Sequence, residues 1–253
     1  MGKVIALSNQ KGGIGKTTCA INIAASLGVL NKKTLLIDFD PQGNSTTGLG
    51  ISKKDCKKSS YSLLIGQYPA NECILDTKFK NLSVVPSNLN LAGAEIEISG
   101  LEKRESLLRE ALAQIVDSFD YILIDCPPSL GLLTLNAMVA SDGIIIPMVC
   151  EFFAMEGISQ LALTVRQIGR LYNPNLSITG IILTMYDKRT NHFRAVEKEI
   201  QKYYSDKIFK TRISRTIKLA EAPSFGMPVF YYDEKGKSSE QFLDLTHEIL
   251  RRI

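Results

Sequence analysis

The chain has 253 residues, 45% hydrophobic and 22% charged, with a formal net charge of +4 at pH 7. One α/β body with a sizeable core fits that length, so a single domain over residues 1–253 is expected. No apolar run approaches the ~20 residues of a membrane span and no charged-then-apolar leader precedes the first strand. The five cysteines are scattered without metal-ligand spacing, which argues for reduced thiols and a cytoplasmic setting.

The first element, residues 3–8 (KVIALS), is a short apolar run of the kind that forms a buried parallel strand. It leads into Ser-Asn-Gln-Lys-Gly-Gly-Ile-Gly-Lys-Thr-Thr at 8–18. An ordinary phosphate loop, G-x-x-x-x-G-K-[ST], cradles phosphates with backbone N–H groups. Its lysine reaches the β/γ oxygens and its hydroxyl binds Mg²⁺. Here Gln10 stands where that first glycine would be, and the match is to the variant K-G-G-x-G-K-T-T. Gly12, Gly13 and Gly15 supply bare backbone, Lys16 the terminal cation, Thr17 the Mg²⁺ hydroxyl and Thr18 a phosphate contact. Lys11 is an extra lysine near the loop's start. Residues 18–30 have helical composition, with Ile21, Ala24, Ala25 and Leu27 as an apolar stripe, so the phosphates would sit at a helix N-terminus.

A second strand over 34–38 ends in Asp38-Phe39-Asp40-Pro41-Gln42-Gly43-Asn44, whose carboxylates emerge at the sheet edge. Strand-like runs follow at 82–86, 121–125, 143–149 and 177–184, and helical stretches at 101–118, 155–172, 192–204 and 239–252. This rhythm predicts an α/β fold, a mostly parallel twisted sheet with helices on both faces. Ligands of such sheets sit beyond the carboxyl ends of the strands. Asp125 closes the apolar strand Tyr-Ile-Leu-Ile-Asp, the Walker B arrangement that holds Mg²⁺.

Positive charge is concentrated. Residues 188–218 contain ten Lys/Arg and three acids, a local +7 against −3 for the rest, the electrostatic footprint of nucleic-acid binding.

Five segments together, KGGIGKTT (11–18), DFDPQGN (38–44), LAGAEIE (91–97), DYILIDCPPSLGLLTLNA (120–137) and KLAEAPSFGMPV (218–229), resemble the deviant Walker A ATPases, specifically the ParA/Soj partitioning branch of this ParA/MinD superfamily. That resemblance implies a P-loop ATP hydrolase using ATP and Mg²⁺, with weak intrinsic activity. By it Asp40 positions or activates the attacking water, and Asp38 supports the metal-bound waters beside Thr17 and Asp125. Lys11 would cross to the nucleotide of a partner subunit in an ATP-sandwiched homodimer, with Gly12 small enough to permit the approach. Ser214 and Thr216 would border the adenine, with Thr184 and Met185 in the same pocket. Arg189 and Lys218, with Arg215 and Lys188 beside them, would bind double-stranded DNA without sequence preference. A ParB-like protein would stimulate hydrolysis and place the chain at the nucleoid. The alternative is a membrane-associated MinD-like positioning ATPase with an amphipathic tail over 240–253, but no stable membrane association is expected because acids interrupt that tail's apolar face.

Overall fold

In the computed structural model, residues 2–151, 154–187, 189 and 191–253 are described. The core is a seven-stranded sheet in the order β3-β4-β2-β5-β1-β6-β7, formed by β1 (Lys3–Leu7), β2 (Thr34–Asp38), β3 (Leu75–Asp76), β4 (Leu82–Val85), β5 (Tyr121–Asp125), β6 (Gly143–Val149) and β7 (Ser177–Thr184). Every pairing is parallel except β3 with β4, an antiparallel two-residue edge. The central strands are buried along nearly their whole length, which is why they read as continuous apolar runs rather than alternating ones.

Both faces are covered. Ile5 and Leu7 of β1 join a core with α1 (Lys16–Val29), whereas Val4 and Ala6 point into an opposite core, the period of two expected of a strand. The opposite core takes in α3 (Ser60–Leu64), α4 (Leu91–Ile98), α5 (Leu107–Leu112) and α6 (Leu132–Val139). Between α1 and α3 lies one turn of helix, α2 (Asn44–Gly48). A third core lies between β6 and β7 and the helices α7 (Ala154–Leu171) and α8 (Asn191–Tyr204). Two short helices follow, α9 (Ile217–Glu221) and α10 (Val229–Tyr232), and then α11 (Lys237–Leu250). Phe242, Leu245 and Ile249 of α11 are buried in the same core as α1. Among the described residues, no helix is long and apolar enough to cross a membrane.

The helix expected over 101–118 is shorter. Lys103 adopts a left-handed φ of 54°, helix begins only after Ser106, and a 3-10 turn at Val116–Ser118 ends the segment. The apolar spacing there survives the breaks because Leu108, Leu112, Ile115 and Val116 are all buried.

Candidate nucleotide site

Strand register brings the motifs together. Asp125 pairs with Leu7 on one side and with Asp38 on the other, so the loops after β1, β2 and β5 leave the sheet at one level and from one edge. The loop after β1 turns through two left-handed glycines, Gly13 (φ 70°) and Gly15 (φ 88°), into the first turn of α1. A side chain is strained at either position. A Cβ on Gly12 would meet nothing within 4 Å, so packing does not demand glycine there.

The two lysines of this loop are placed differently. Lys16 is buried, and its Nζ donates to the Lys11 carbonyl at 2.9 Å. Burial lowers its pKa, and the Asp125 carboxylate opposes that shift. Lys11 turns outward and ion-pairs with Glu151, just past β6, both side chains about half exposed at 54% and 51%. Asn9 braces the turn: its Oδ1 accepts from Lys11 N at 3.2 Å, and its Nδ2 donates to the Pro147 carbonyl at 2.8 Å.

The aspartates also differ. Asp38 is fully buried; its Oδ2 accepts from both the N–H and the hydroxyl of Thr46 at 2.7 Å, and its Oδ1 faces the Asp40 N–H at 3.4 Å. The Thr46 hydroxyl in turn accepts from Ser87 N at 2.9 Å, so Asp38 anchors α2 and the loop after β4. Asp125 is also fully buried and accepts from the Ser45 hydroxyl at 2.8 Å, but its Oδ1 has no partner among the described residues. Asp40 accepts from Gln42 N at 2.9 Å, an Asx turn that aims the loop. Burial raises the pKa of Asp38 and Asp125, and the Asp125 charge pushes Asp38 further. Thr46 offsets part of the Asp38 shift, and the hydroxyls of Ser45 and Thr17 part of that on Asp125.

Two adjacent buried carboxylates, one with an unpartnered oxygen beside the Thr17 hydroxyl, fit a hard divalent cation with oxygen ligands. Thr17 and Asp125 would hold Mg²⁺. Asp38, whose Oδ2 accepts from Thr46 and whose Oδ1 faces the Asp40 N–H, also positions α2 and the Asp40 turn. Ser45 and Thr46 were missed by sequence reasoning; their only signal was two hydroxyl residues directly after the Asp-Pro-Gln-Gly-Asn segment.

Beside the loop lies a cavity of about 200 Å³ lined by Gly15, Thr18, Thr184, Met185, Ser214 and Thr216, among others. Residues far apart in sequence, expected at the base, therefore meet. Thr184 ties the wall together, its one hydroxyl proton shared between the Ile14 and Met148 carbonyls, 2.8 and 3.1 Å away.

The cations are less bare than their sequence suggests. Arg189 is exposed and pairs with Asp187 at 2.8 Å, and hydrogen bonding from Arg189 holds the Asp187 carboxyl down at about 2. Lys218 lies 3.6 Å from Glu221 and over the Tyr232 ring. Asp187 and Glu221 sit just outside the basic segment, and including them reduces its charge from +7 to +5. Arg215 is exposed and borders the cavity. Arg212 is half-buried against Glu197 at 2.5 Å, a structural pair. Lys188 lies outside the described residues.

A phosphate loop after the first strand, facing paired carboxylates at the ends of β5 and β2, the next two strands on one side of it, defines a P-loop nucleotide hydrolase of the deviant Walker A kind. Residues 2–178 match the AAA_31 family, an AAA domain. The chain is 48% identical over 249 residues to the sporulation initiation inhibitor protein Soj of Bacillus subtilis, covering 98% of each. It is 45% identical over 252 residues to the chromosome partitioning protein ParA of Myxococcus xanthus, covering 100% of this chain and 89% of that one. Its structure is similar to that of cobyrinic acid a,c-diamide synthase from Mycobacterium smegmatis with a bound ATP analog and magnesium, at a TM-score of 0.89 and 33% identity, covering 99% and 95% of the two chains. The chain belongs to the AAA_31 family and, within it, to the ParA/Soj partitioning ATPases. It is an ATP hydrolase.

Proposed function

We propose that this chain is a DNA-segregation switch in which ATP pairs two subunits, the pair holds double-stranded DNA without sequence preference, and slow hydrolysis releases it. The observation that carries this reading is the division of labour between the two lysines. Lys16 is buried in its own site, whereas Lys11 reaches out to Glu151 at the surface. A lysine held outward by an exposed ion pair, worth at most about 1 kcal/mol, is readily exchanged for a neighbour's phosphate.

Within each subunit the loop N–H groups and Lys16 would hold the triphosphate, and Asp40 would orient the attacking water. Catalysis here is positioning and charge stabilisation rather than covalent chemistry. Bound Mg²⁺ would neutralise phosphate charge. Lys11 from the facing subunit would supply the cation each site otherwise lacks, so ATP becomes a pairing signal. A homodimer doubles the phosphate contacts of a weak basic surface, and multivalency converts that into tight DNA binding. Because Tyr186 bridges to Ser214, the segments carrying Arg189 and Arg215 leave the sheet side by side, which favours one shared surface. A ParB-like partner would accelerate hydrolysis, and the cycle would keep the protein at the nucleoid.

Against the membrane alternative, the apolar residues Phe242, Leu245 and Ile249 of α11 are spent in the core. Arg252 beyond it donates to the carbonyls of Thr179, Lys207 and Ile208. A tail so committed has little apolar face to offer a bilayer.

The test is binding to non-specific duplex with ADP, ATP and a slowly hydrolysed analogue. Wild type should bind with the triphosphates only. Asp40→Ala should stay on DNA with ATP, and Arg189→Glu should pair without binding. Equal affinity in all nucleotide states would overturn the switch.

A further inference from the structure

The loop over 213–216 is held from two sides. On one it follows the end of β7, with Ile213 N donating to the Leu183 carbonyl and Tyr186 N donating to the Ile213 carbonyl, each at 2.9 Å. On the other it is clasped by α11. Ser214 N donates to Gln241 Oε1 at 3.2 Å, and Gln241 Nε2 donates back to Ser214 Oγ at 3.1 Å. One turn earlier on the same helix face, the Ser238 hydroxyl shares a 2.7 Å hydrogen bond with the Thr216 hydroxyl, which also accepts from Leu219 N to cap α9.

The hydroxyls of Ser214 and Thr216, the residues expected to border the adenine, are therefore directed at α11 and at the start of α9. What the loop leaves for a ligand in the cavity is the backbone of 214–216, together with the apolar walls at Met185 and Leu219. Gln241 does not line the cavity, yet α11 packs in the same core as α1, whose first turn carries the phosphate loop. The helix that clasps one wall is thus fixed to the helix that begins at the other.

We propose that Gln241 is a positioning residue for the nucleotide base, setting the backbone of 214–216 at its distance from the phosphate loop. This rests on the reading that the cavity takes the base. An amide suits the task because it offers an acceptor and donors at one position, matching the N–H and the hydroxyl of Ser214 at once. A carboxylate at 241 keeps the acceptor for the N–H, and the Ser214 hydroxyl can rotate to donate to the second oxygen. Alanine loses both contacts.

The experiment measures affinity for ATP and for inorganic tripolyphosphate, together with kcat, in the full chain. Gln241→Ala should weaken ATP about tenfold, the scale of one to two lost hydrogen bonds, and leave tripolyphosphate affinity and kcat within about twofold. Gln241→Glu should stay within about twofold of wild type throughout. Equal weakening of both ligands by Gln241→Ala, or of neither, would overturn the proposal, as would a Gln241→Glu variant no better than alanine. Ala220→Trp, which places bulk in the cavity, separates the two readings. If it costs ATP affinity while Gln241→Ala does not, the positioning role alone fails. If it leaves ATP affinity untouched, the cavity is not the base site.

Discussion

Asp125→Asn should make the nucleotide-free protein more stable while removing its response to Mg-ATP. Asp125 is fully buried beside Asp38 with its Oδ1 short of hydrogen-bond partners, although the Thr17 hydroxyl lies close enough to lower its pKa, so a charge there above the ordinary carboxylate range is poorly compensated. An unsatisfied buried acceptor costs about 1–3 kcal/mol. Asparagine keeps the shape and an acceptor for the Ser45 hydroxyl, and removes the like charge. The expected gain is about 1–3 kcal/mol, or about 2–10 °C in Tm for a chain of this size. The sign of its pH dependence is fixed. Burial raises the folded pKa of Asp125, so the native state binds more protons than the unfolded one, and wild-type stability falls as pH rises above the ordinary carboxylate range. The advantage of the variant should therefore grow from pH 5 to pH 8. Thermal melts followed by circular dichroism across that range, with and without Mg-ATP, provide the assay. Saturating Mg-ATP should raise the wild-type Tm and leave the variant's unchanged. A variant less stable than wild type at pH 8, or a gain independent of pH, would refute a buried-charge penalty.

Thr46→Val removes the hydroxyl that bridges Asp38 and Ser87 N and leaves that N–H without its acceptor. It should cost about 2–4 kcal/mol by urea denaturation, and an unchanged midpoint would argue that α2 is not anchored through Asp38. Glu221→Gln releases Lys218 from its acid and should tighten duplex binding about two- to threefold at low salt, with the gain lost at high salt. No change would place Lys218 away from the DNA surface.

The central strands were legible because burial on both faces leaves an unbroken apolar run. Residues 34–38, 121–125 and 143–149 form strands with the boundaries their sequences predict, as does 177–184 at the sheet edge, where the second half of the strand is buried. Short elements were not. A helix of five residues such as Ser60–Leu64 shows too little of a period, and Leu132–Val139 is apolar on nearly every side. The two-residue antiparallel β3 pairs only through Leu75 and Asp76 and leaves no pattern to read. In the site, the loop and the strand-end aspartates announce themselves through spacing. The groups that hold them, Thr46 for Asp38, Glu151 for Lys11 and Gln241 for Ser214, act through tertiary contacts spanning 8, 140 and 27 residues. Such contacts carry no local signature. The charge count shows the same blindness, since Asp187 and Glu221 fall just outside the basic segment and lower its charge from +7 to +5.

The most direct measurement is sedimentation of the Asp40→Ala chain with Mg-ATP, beside the same chain also carrying Lys11→Ala. Trans completion of the site predicts dimers for the first and single subunits, still with bound ATP, for the second. Single ATP-loaded subunits in both, with undiminished affinity for duplex, would contradict it.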